Sequence, residues 1–434
     1  MSDVKKNWLA SGWNQVEDKE FTENSVERSE IISCLDIGSN KVSFTISRLF
    51  QEEKNIEVLA TGVASHEAYS KGTVTNLDSL VKAIAAAKLE AENKSGMNAN
   101  NILVSVGGPE VEIVNSFGML LLKDNEVNQD DVDGAIEVAK AIPISSHQNI
   151  IHAIPYSFKV DQHTGISHPL GMSGKRLECE IQIITCANSI LSNMEKACEL
   201  AGVHLKSFVY KPVATAEAVL TDFERKNGVI LIEMGASSTH VIAIKDGKVE
   251  KSLFFEVGGE RFTQDLCMGL KVSRIEAENL KIKSGSAFTH GISPDDIVVI
   301  PSKEDDSFDK EFKKINIAEI LEARCEETLL KIKESLCLEL EMSAYESGVV
   351  LAGGGSQLNG LVDMAKYVFD SPVRHGVVLE KHLRYPRAIS NNGVCALGMI
   401  AFMSKWFMGE TLRQSSKEKI GNFMNRMKSY VKGL

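Results

Sequence analysis

Two segments about two hundred residues apart share a pattern of residues that suits phosphate binding. The first places Asp36 and Gly38 after an apolar run, and the second places Glu233 and Gly235 in the same way. Each continues through small polar residues into a second apolar run. Glycine and small residues let backbone N–H groups approach a phosphate, and an acid at a strand end holds magnesium, usually through water. The repeat predicts two facing strand–turn–strand loops that clamp the phosphates of a nucleotide.

A third glycine-rich element and a helical pair complete the predicted site. Residues 349–361 read as a buried strand that ends in three glycines and enters a helix. Such an element allows close approach to a base or sugar and offers unpaired N–H donors. Glu278 and Lys281 stand three residues apart on one predicted helical face, from which both can reach a ribose. The same spacing is typical of a surface ion pair, so both interpretations stay open.

The last eighteen residues, 417–434, have an amphipathic pattern at helical spacing. Basic side chains border an apolar stripe on both edges, and Asn422, Asn425 and Ser429 lie opposite it. This arrangement is typical of a helix lying among the headgroups of an anionic membrane; a helix packed on the chain's own core is the alternative. The polar linker 410–416 separates the helix from the body and favours the membrane. The predicted membrane-binding residues are Lys419, Ile420, Phe423, Met424, Arg426, Met427, Lys428, Val431 and Leu434.

Composition and charge indicate an acidic, globular chain. It has 434 residues, 43% of them hydrophobic and 25% charged, which is typical of a soluble protein with two or more domains. The net charge of −11 disfavours nucleic-acid binding. Eight cysteines without a CxxC pair or a metal spacing are expected in a reducing cytoplasm. The sequence has no signal-peptide pattern and no apolar run of about 18 residues, and residues 1–29 are predicted to be a disordered extension.

With these elements in this order, the chain resembles the actin-like ATPase superfamily and, within it, the FtsA family of bacterial cell-division proteins. Residues 36–39 resemble that family's first phosphate loop, and 351–360 resemble its adenosine loop. Residues 211–221 resemble its first connecting helix, while 257–263 and 277–285 resemble the stretch leading to the ribose. The amphipathic C-terminal helix is an FtsA trait that actin, MreB and the heat-shock chaperones do not share.

The resemblance implies an α/β, two-lobed actin-like fold (ribonuclease H-like and duplicated) with an inserted 1C-type subdomain and a C-terminal amphipathic helix. Alternating strands around a predicted helix near 129–141 resemble subdomain 1C. The implied domains are a disordered extension (1–29), lobe I or subdomain 1A (30–105, 188–226 and 386–409), subdomain 1C (106–187), lobe II or subdomain 2A (227–285 and 344–385), subdomain 2B (286–343), a linker (410–416) and the membrane-targeting helix (417–434).

The resemblance also implies that the cleft between the lobes binds ATP and Mg²⁺, with Asp36 and Glu233 holding the metal through water. Asp36 and Glu217 are the candidates for positioning metal or water, which suits slow ATP hydrolysis. The chain is expected to be at most a slow ATPase with a mainly structural role. The implied nucleotide-binding residues are Asp36, Gly38, Ser39, Asn40, Lys41, Glu233, Gly235, Ala236, Ser237, Ser238, Gly258, Gly259, Glu260, Glu278, Lys281, Gly353, Gly354, Gly355 and Gln357.

The chain departs from the family pattern in its second phosphate loop. That loop usually reads Asp-x-Gly-Gly-Gly-Thr-Thr in the family, whereas this chain has Glu233, Ala236 and Ser237. The longer acid and the two added Cβ atoms are expected to weaken phosphate contact or displace magnesium. Residues 301–309 also lack an arginine–proline run that is common in the family. We therefore expect nucleotide binding without rapid hydrolysis.

A member of this family is expected to anchor FtsZ filaments to the cytoplasmic face of the bacterial inner membrane at the septum. It would also assemble with copies of itself and recruit later division proteins through subdomain 1C. The C-terminal tail of FtsZ is expected on 286–343, where Arg324 can meet a carboxylate; an ion pair with Glu327 is the alternative. Two other functions stay open. One is a PilM-type pilus-assembly protein, against which the tail helix argues, and the other is a sugar or acyl kinase, for which no motif supplies a convincing base.

Overall fold

The computed structural model describes residues 29–50, 55–99, 102–301, 309–379, 383–384 and 393–411. The predicted membrane-targeting helix and residues 1–28 of the predicted extension lie outside these ranges. The strands are β1 (Ser29–Ile37), β2 (Lys41–Phe50), β3 (Asn55–Ser65), β4 (Tyr69–Ser70), β5 (Thr73–Val74), β6 (Ile102–Val106), β7 (Val111–Leu121), β8 (Gln148–Val160), β9 (His163–Ile166), β10 (Arg176–Ala187), β11 (Leu205–Tyr210), β12 (Val229–Met234), β13 (Thr239–Lys245), β14 (Lys248–Phe255), β15 (Ile297–Ile300), β16 (Lys310–Lys313), β17 (Val349–Ala352), β18 (Val373–His375) and β19 (Leu383–Arg384). The helices are α1 (Leu77–Ser95), α2 (Gln129–Lys140), α3 (Asn188–Leu200), α4 (Lys211–Val219), α5 (Asp222–Asn227), α6 (Gly259–Leu270), α7 (Arg274–Ser284), α8 (Lys314–Cys337), α9 (Leu361–Phe369) and α10 (Val394–Thr411).

Two sheets repeat one topology, which confirms the predicted duplication. In lobe I the order is β11-β6-β1-β2-β3-β19, and in lobe II it is β14-β13-β12-β17-β18. Strands β1, β2 and β3 form an antiparallel meander, and β6 and β11 continue the sheet in parallel with β1. Strands β12, β13, β14, β17 and β18 pair in the same pattern. The central strands are buried on both faces, as expected for a sheet covered by helices.

The inserted subdomain has a sheet and a core of its own. Its four strands are ordered β7-β10-β8-β9 and stand between β6 and α3 of lobe I. Helix α2 begins with a capping box formed by Asn128 and Asp131, and it covers one face of this sheet. At Gly118 on β7 the helix backbone comes so close that a Cβ would lie 2.1 Å from the carbonyl oxygen of Ala135. The glycine therefore sets the distance between α2 and the sheet.

Helix α4 lies where the two lobes join. It packs against α10, and a Cβ at Gly398 of α10 would lie 1.9 Å from the carbonyl oxygen of Ala214 on α4. The core of lobe I extends through this region onto one face of the lobe II sheet, at Leu231 and Ile242 among others. Helix α10 continues to Thr411, so it includes the first two residues of the predicted linker. Within the described ranges, no helix combines the length and the apolar character needed to cross a bilayer.

The predicted subdomain 2B consists of the β15–β16 hairpin and helix α8. Helix α8 buries Ile317, Leu321, Leu329 and Ile332 in the core of lobe II. The region 286–343 is thus distinct in topology but shares its core with the lobe that carries it.

Candidate nucleotide-binding cleft

The two predicted phosphate loops have the same backbone turn. In the first loop, residues 38–41, the Gly38 N–H donates to the carbonyl oxygen of Lys41 at 3.0 Å. In the second loop, residues 235–238, the Gly235 N–H donates to the carbonyl oxygen of Ser238 at 2.8 Å. A Cβ at either glycine would lie 3.1 Å from the accepting oxygen. The repeated sequence pattern therefore corresponds to one turn used twice.

The two loops meet directly across the cleft. The hydroxyl oxygens of Ser39 and Ser237 are 2.6 Å apart, and the Lys71 N–H donates to the Ser237 hydroxyl oxygen at 3.0 Å. Ser237 is 7% exposed, so this contact is shielded from water. Nearby, the Lys71 ammonium lies 2.7 Å from a carboxylate oxygen of Glu256. The lobes are therefore closed at this end, and Ser237, one of the predicted departures from the family pattern, forms the central contact.

Three of the predicted nucleotide-binding glycines pack against the second loop. A Cβ at Gly353 would lie 2.4 Å from the carbonyl oxygen of Met234, and Gly353 also has a positive φ of 84°. A Cβ at Gly355 would lie 2.6 Å from Met234 Cγ, and one at Gly258 would lie 2.6 Å from the carbonyl oxygen of Ala236. These glycines permit close packing of protein on protein. Gly354 differs, because a Cβ there would meet open space.

Glu278 and Lys281 form more than a surface ion pair. The Lys281 ammonium lies 2.7 Å from a carboxylate oxygen of Glu278 and donates to the Thr263 hydroxyl and the Gly259 carbonyl oxygen, each at 2.9 Å. The Lys281 side chain is 14% exposed. The pair thus joins α7 to the start of α6 beside the glycine elements. Of the other predicted contacts, Glu260 pairs with Arg274, and Gln357 is exposed on the turn at Gly354–Gln357.

Asp36 is held by a lysine whose role the sequence analysis did not assign. The Asp36 Oδ1 atom lies 2.7 Å from the Lys211 ammonium and accepts a hydrogen bond from the Ser105 hydroxyl at 2.7 Å. Burial opposes ionisation, but Lys211 and the hydrogen bonds hold the pKa of Asp36 below its usual value. Burial likewise disfavours the charged lysine, yet Asp36 raises the pKa of Lys211. The sequence signal for the role of Lys211 is its position: it is a single charged residue directly before the run 212–216, whose residues are all buried in the structure.

Glu233, the acid of the second loop, has different surroundings. It is 8% exposed, and its Oε2 atom has no hydrogen-bond partner within the described structure. Burial raises the pKa of Glu233 to about 7; Lys211 opposes the rise, and Asp36 adds to it. His240 on β13 is buried as well, and burial lowers its pKa to about 3, with Lys211 acting in the same direction.

The acids do not fit the Mg²⁺ site that the family resemblance implies. Asp36 is already charge-paired with Lys211, and Glu233 has a raised pKa. Beside a nucleotide, Mg²⁺ is usually held by one or two carboxylates together with phosphates and water, so at least one of these two acids would have to be available to it. The loops, the open space at Gly354 and the Lys281 ammonium do fit a nucleotide.

Two other predicted residues form ion pairs with the protein itself. Glu217 on α4 lies 3.0 Å from a guanidinium nitrogen of Arg225. Arg324 on α8 forms a two-nitrogen contact with Asp265 of α6, with Nη2 at 3.2 Å from Oδ1, and it also pairs with Glu327. The Arg324–Glu327 pair is the alternative that the sequence left open. Arg324 therefore ties α8 to lobe II.

Comparisons with known proteins agree with this architecture. A family model for cell division protein FtsA matches residues 230–393, and one for the SHS2 domain inserted in FtsA matches residues 108–185. Cell division protein FtsA of Neisseria meningitidis serogroup B is 33% identical over 361 residues, which is 82% of this chain and 85% of that protein. That of Pseudomonas aeruginosa is 30% identical over 357 residues, which is 81% and 84% of the two chains. The chain belongs to the FtsA family. The predicted family is thereby confirmed, and the second model covers the inserted subdomain.

Solved structures confirm the actin-like fold of this FtsA-family chain. A PilM–PilN type IV pilus biogenesis complex aligns with a TM-score of 0.57 at 13% identity, over 86% of this chain and 98% of that one. MreB5 of Spiroplasma citri bound to ADP aligns with a TM-score of 0.52 at 12% identity, over 89% and 99% of the two chains. At these identities the likeness concerns the fold alone. The FtsA relatives therefore decide the family, and the PilM-type and kinase alternatives lose their support.

Proposed function

We propose that this FtsA-family chain is an ATP-binding adaptor that anchors FtsZ filaments to the cytoplasmic face of the inner membrane. It assembles with copies of itself at the septum and helps to recruit later division proteins through the inserted subdomain. The observation that carries the proposal is the meeting of two equivalent phosphate loops from opposite lobes at Ser39 and Ser237. A ligand held between these loops acts on the relative position of both lobes. ATP thus serves as a conformational ligand, and any hydrolysis is slow.

The closed contact between the loops sets the expected strength of ATP binding. The phosphates enter only when the Ser39–Ser237 hydrogen bond opens. The apparent affinity is therefore reduced by the fraction of molecules in the open state. The open space at Gly354 is available to the base or sugar, and Lys281 lies beside the same glycine elements.

Gly354 offers a direct test of nucleotide binding. The Gly354→Ala variant adds one methyl group in open space, at a residue without a positive φ, so the fold should be retained. If ATP occupies this space, its affinity should fall by about tenfold, measured by calorimetric titration. Gly134→Ala on α2 is the matched control, because a Cβ there makes only an ordinary contact with Leu120 at 3.6 Å. Unchanged affinity in Gly354→Ala would place the nucleotide elsewhere.

Membrane attachment is assigned to 417–434 on the sequence pattern. Helix α10, whose residues from Cys395 to Met403 contribute to the core of lobe I, precedes this tail in the chain. Each short helix binds weakly, and repeated tails along a filament bind together by avidity. Anionic lipid is the expected surface, given the basic residues of the tail.

Co-sedimentation of the chain and FtsZ with phosphatidylglycerol vesicles tests the adaptor function. The assay is run with and without ATP, and the FtsZ either has or lacks its C-terminal tail. We expect FtsZ to sediment only when both its own tail and residues 417–434 are present.

The substitution Met427→Glu, in the apolar stripe, should release the chain from vesicles. Ser429→Glu adds the same charge on the opposite face and should not. Vesicle binding without FtsZ recruitment would reject the adaptor function, and equal binding by both variants would reject the membrane helix.

The region 286–343 is the proposed surface for the FtsZ tail. Strand β15 belongs to a two-stranded sheet and exposes Ile297 and Val299, which suits an extended peptide. Arg324 supports this surface by holding α8 against α6. Ile297→Glu should abolish recruitment of FtsZ and leave vesicle binding unchanged; retained recruitment would move the tail site.

A further inference from the structure

The Lys211 ammonium stands where a metal would be expected. Its Nζ atom lies 2.7 Å from Asp36 Oδ1 and donates to the carbonyl oxygen of Ile37, the residue before the first loop, at 3.2 Å. Its side chain is 15% exposed. Lys211 begins helix α4, and Pro212 and the buried residues that follow fix its backbone. The ammonium is therefore a built part of the cleft.

The charge of Lys211 disfavours a second cation at the same carboxylate. A hydrated Mg²⁺ ion on Asp36 would lie close to an ammonium that is partly shielded from water, where like charges repel strongly. Asp36 Oδ1 is also occupied by the hydrogen bond from Ser105. A second lysine, Lys41, belongs to the first loop itself, where its carbonyl oxygen accepts the hydrogen bond from the Gly38 N–H that closes the turn. Two lysines thus already provide positive charge at the phosphate end.

We propose that the Lys211 ammonium takes the place of Mg²⁺ at the phosphate end of the cleft, so that this chain binds ATP without a divalent cation. The proposal rests on the proposed binding of ATP. Asp36 then positions Lys211, and Lys211 meets the phosphates. The second loop contributes backbone N–H groups, and Glu233 is not needed as a metal ligand.

Calorimetric titration of ATP into the full chain, in excess MgCl₂ and in excess EDTA, tests the proposal. We expect the two dissociation constants to agree within about threefold. Binding at least about tenfold weaker in EDTA would overturn the proposal and leave ATP binding itself intact. No binding in either condition would instead reject the proposed nucleotide function and this inference with it. The comparison needs no substitution and does not depend on the folding of a variant.

Two variants identify Lys211 as the cation. Lys211→Gln should bind ATP about tenfold more weakly in EDTA and recover most of the affinity in MgCl₂, because the Asp36 carboxylate becomes available to the metal. Lys211→Arg retains a cation and should remain independent of Mg²⁺. Lys366→Gln removes a lysine charge on α9, away from Asp36, and serves as the control. If Lys211→Gln behaves like the unmodified chain in both conditions, Lys211 does not replace the metal.

Discussion

The first and second phosphate loops have the same turn but differ in what surrounds their acids. Asp36 is held by Lys211 and Ser105, and its pKa is lowered. Glu233, at the equivalent point of lobe II, is more deeply buried, has an oxygen without a partner, and has a raised pKa. Duplication thus preserved the backbone, while one lysine from α4 favours the charge of one acid far more than that of the other. Equivalent positions in the two lobes therefore have different electrostatic surroundings.

Removing Lys211 should have the largest effect on this comparison. Lys211→Met leaves the Asp36 carboxylate, whose side chain is 18% exposed, without its counter-charge. We expect the free energy of unfolding to fall by about 3–5 kcal/mol, measured by chemical denaturation at neutral pH.

The double variant Asp36→Asn/Lys211→Met separates charge from packing. It removes both members of the pair and should recover most of the lost stability. A loss as large as that of the single variant would show that the packing of the lysine stem, not its charge, matters.

Glu233 should show the second-largest effect, as a dependence on pH. Its pKa is about 7 in the folded chain against an ordinary value of 4.5, so the folded state holds the proton more tightly. The contribution of Glu233 to the free energy of unfolding therefore falls by up to about 3 kcal/mol as pH rises from about 4.5 to about 7. Glu233→Gln lacks this loss and should be more stable than the unmodified chain at pH 8 but similar at pH 4.5. Thermal melts of the two proteins at pH 4.5 and pH 8 measure this difference in stability. A difference that is the same at both pH values would contradict the raised pKa of Glu233.

Restoring glycine in the second loop should have a smaller effect, on ATP binding. Ala236→Gly/Ser237→Gly removes the Ser39–Ser237 hydrogen bond, which favours the closed cleft. Such a bond contributes about 1 kcal/mol, and its loss makes the open cleft easier to reach by that amount. ATP affinity should therefore rise about fivefold. Ser237→Ala keeps the Cβ and loses only the hydroxyl, so it distinguishes the hydrogen bond from the added carbon. No gain in affinity or turnover in the double variant would mean that the departures in this loop are neutral for the nucleotide.

The exposed ion pair between the lobes should matter least. The Lys71 and Glu256 side chains are 52% and 57% exposed, in contrast to 18% and 15% for those of Asp36 and Lys211. Lys71→Gln should change the free energy of unfolding by less than about 1 kcal/mol, and high salt should erase the difference. The hydrogen bond from the backbone N–H of residue 71 to the Ser237 hydroxyl remains in this variant. A loss similar to that of Lys211→Met would show that closure of the lobes, not burial of charge, dominates stability.

The local features of the cleft and of the inserted subdomain could be predicted from the sequence. Both strand–turn–strand loops, the strand before the three glycines, helix α2 of the inserted subdomain and the helix containing Glu278 and Lys281 depend on patterns within a dozen or so residues. Apolar alternation, glycine at tight turns and helical spacing are local signals. The pairing of Glu278 with Lys281 follows directly from their position on one helical face.

The partners of the charged and packed groups could not be predicted in this way. Arg324, predicted to meet either a partner's carboxylate or Glu327, pairs with Glu327 and also with Asp265, which lies on another helix and which the local pattern did not indicate. Gly258, Gly353 and Gly355 are predicted nucleotide-binding residues, and the structure adds that each packs closely on or beside the second loop. A glycine in a sequence indicates close approach but does not say what approaches.

The sequence by itself determined the family, the duplicated elements and the residue types at the cleft, because these depend on periodicity and on motifs. The tertiary structure decided that Ser39 touches Ser237 across 198 residues of chain, and that Lys211 neutralises Asp36 but leaves Glu233 with a raised pKa. These outcomes depend on how the two lobes close around α4. The energy of a buried charge is set by its nearest neighbours in space, and only the packed lobes bring those neighbours together.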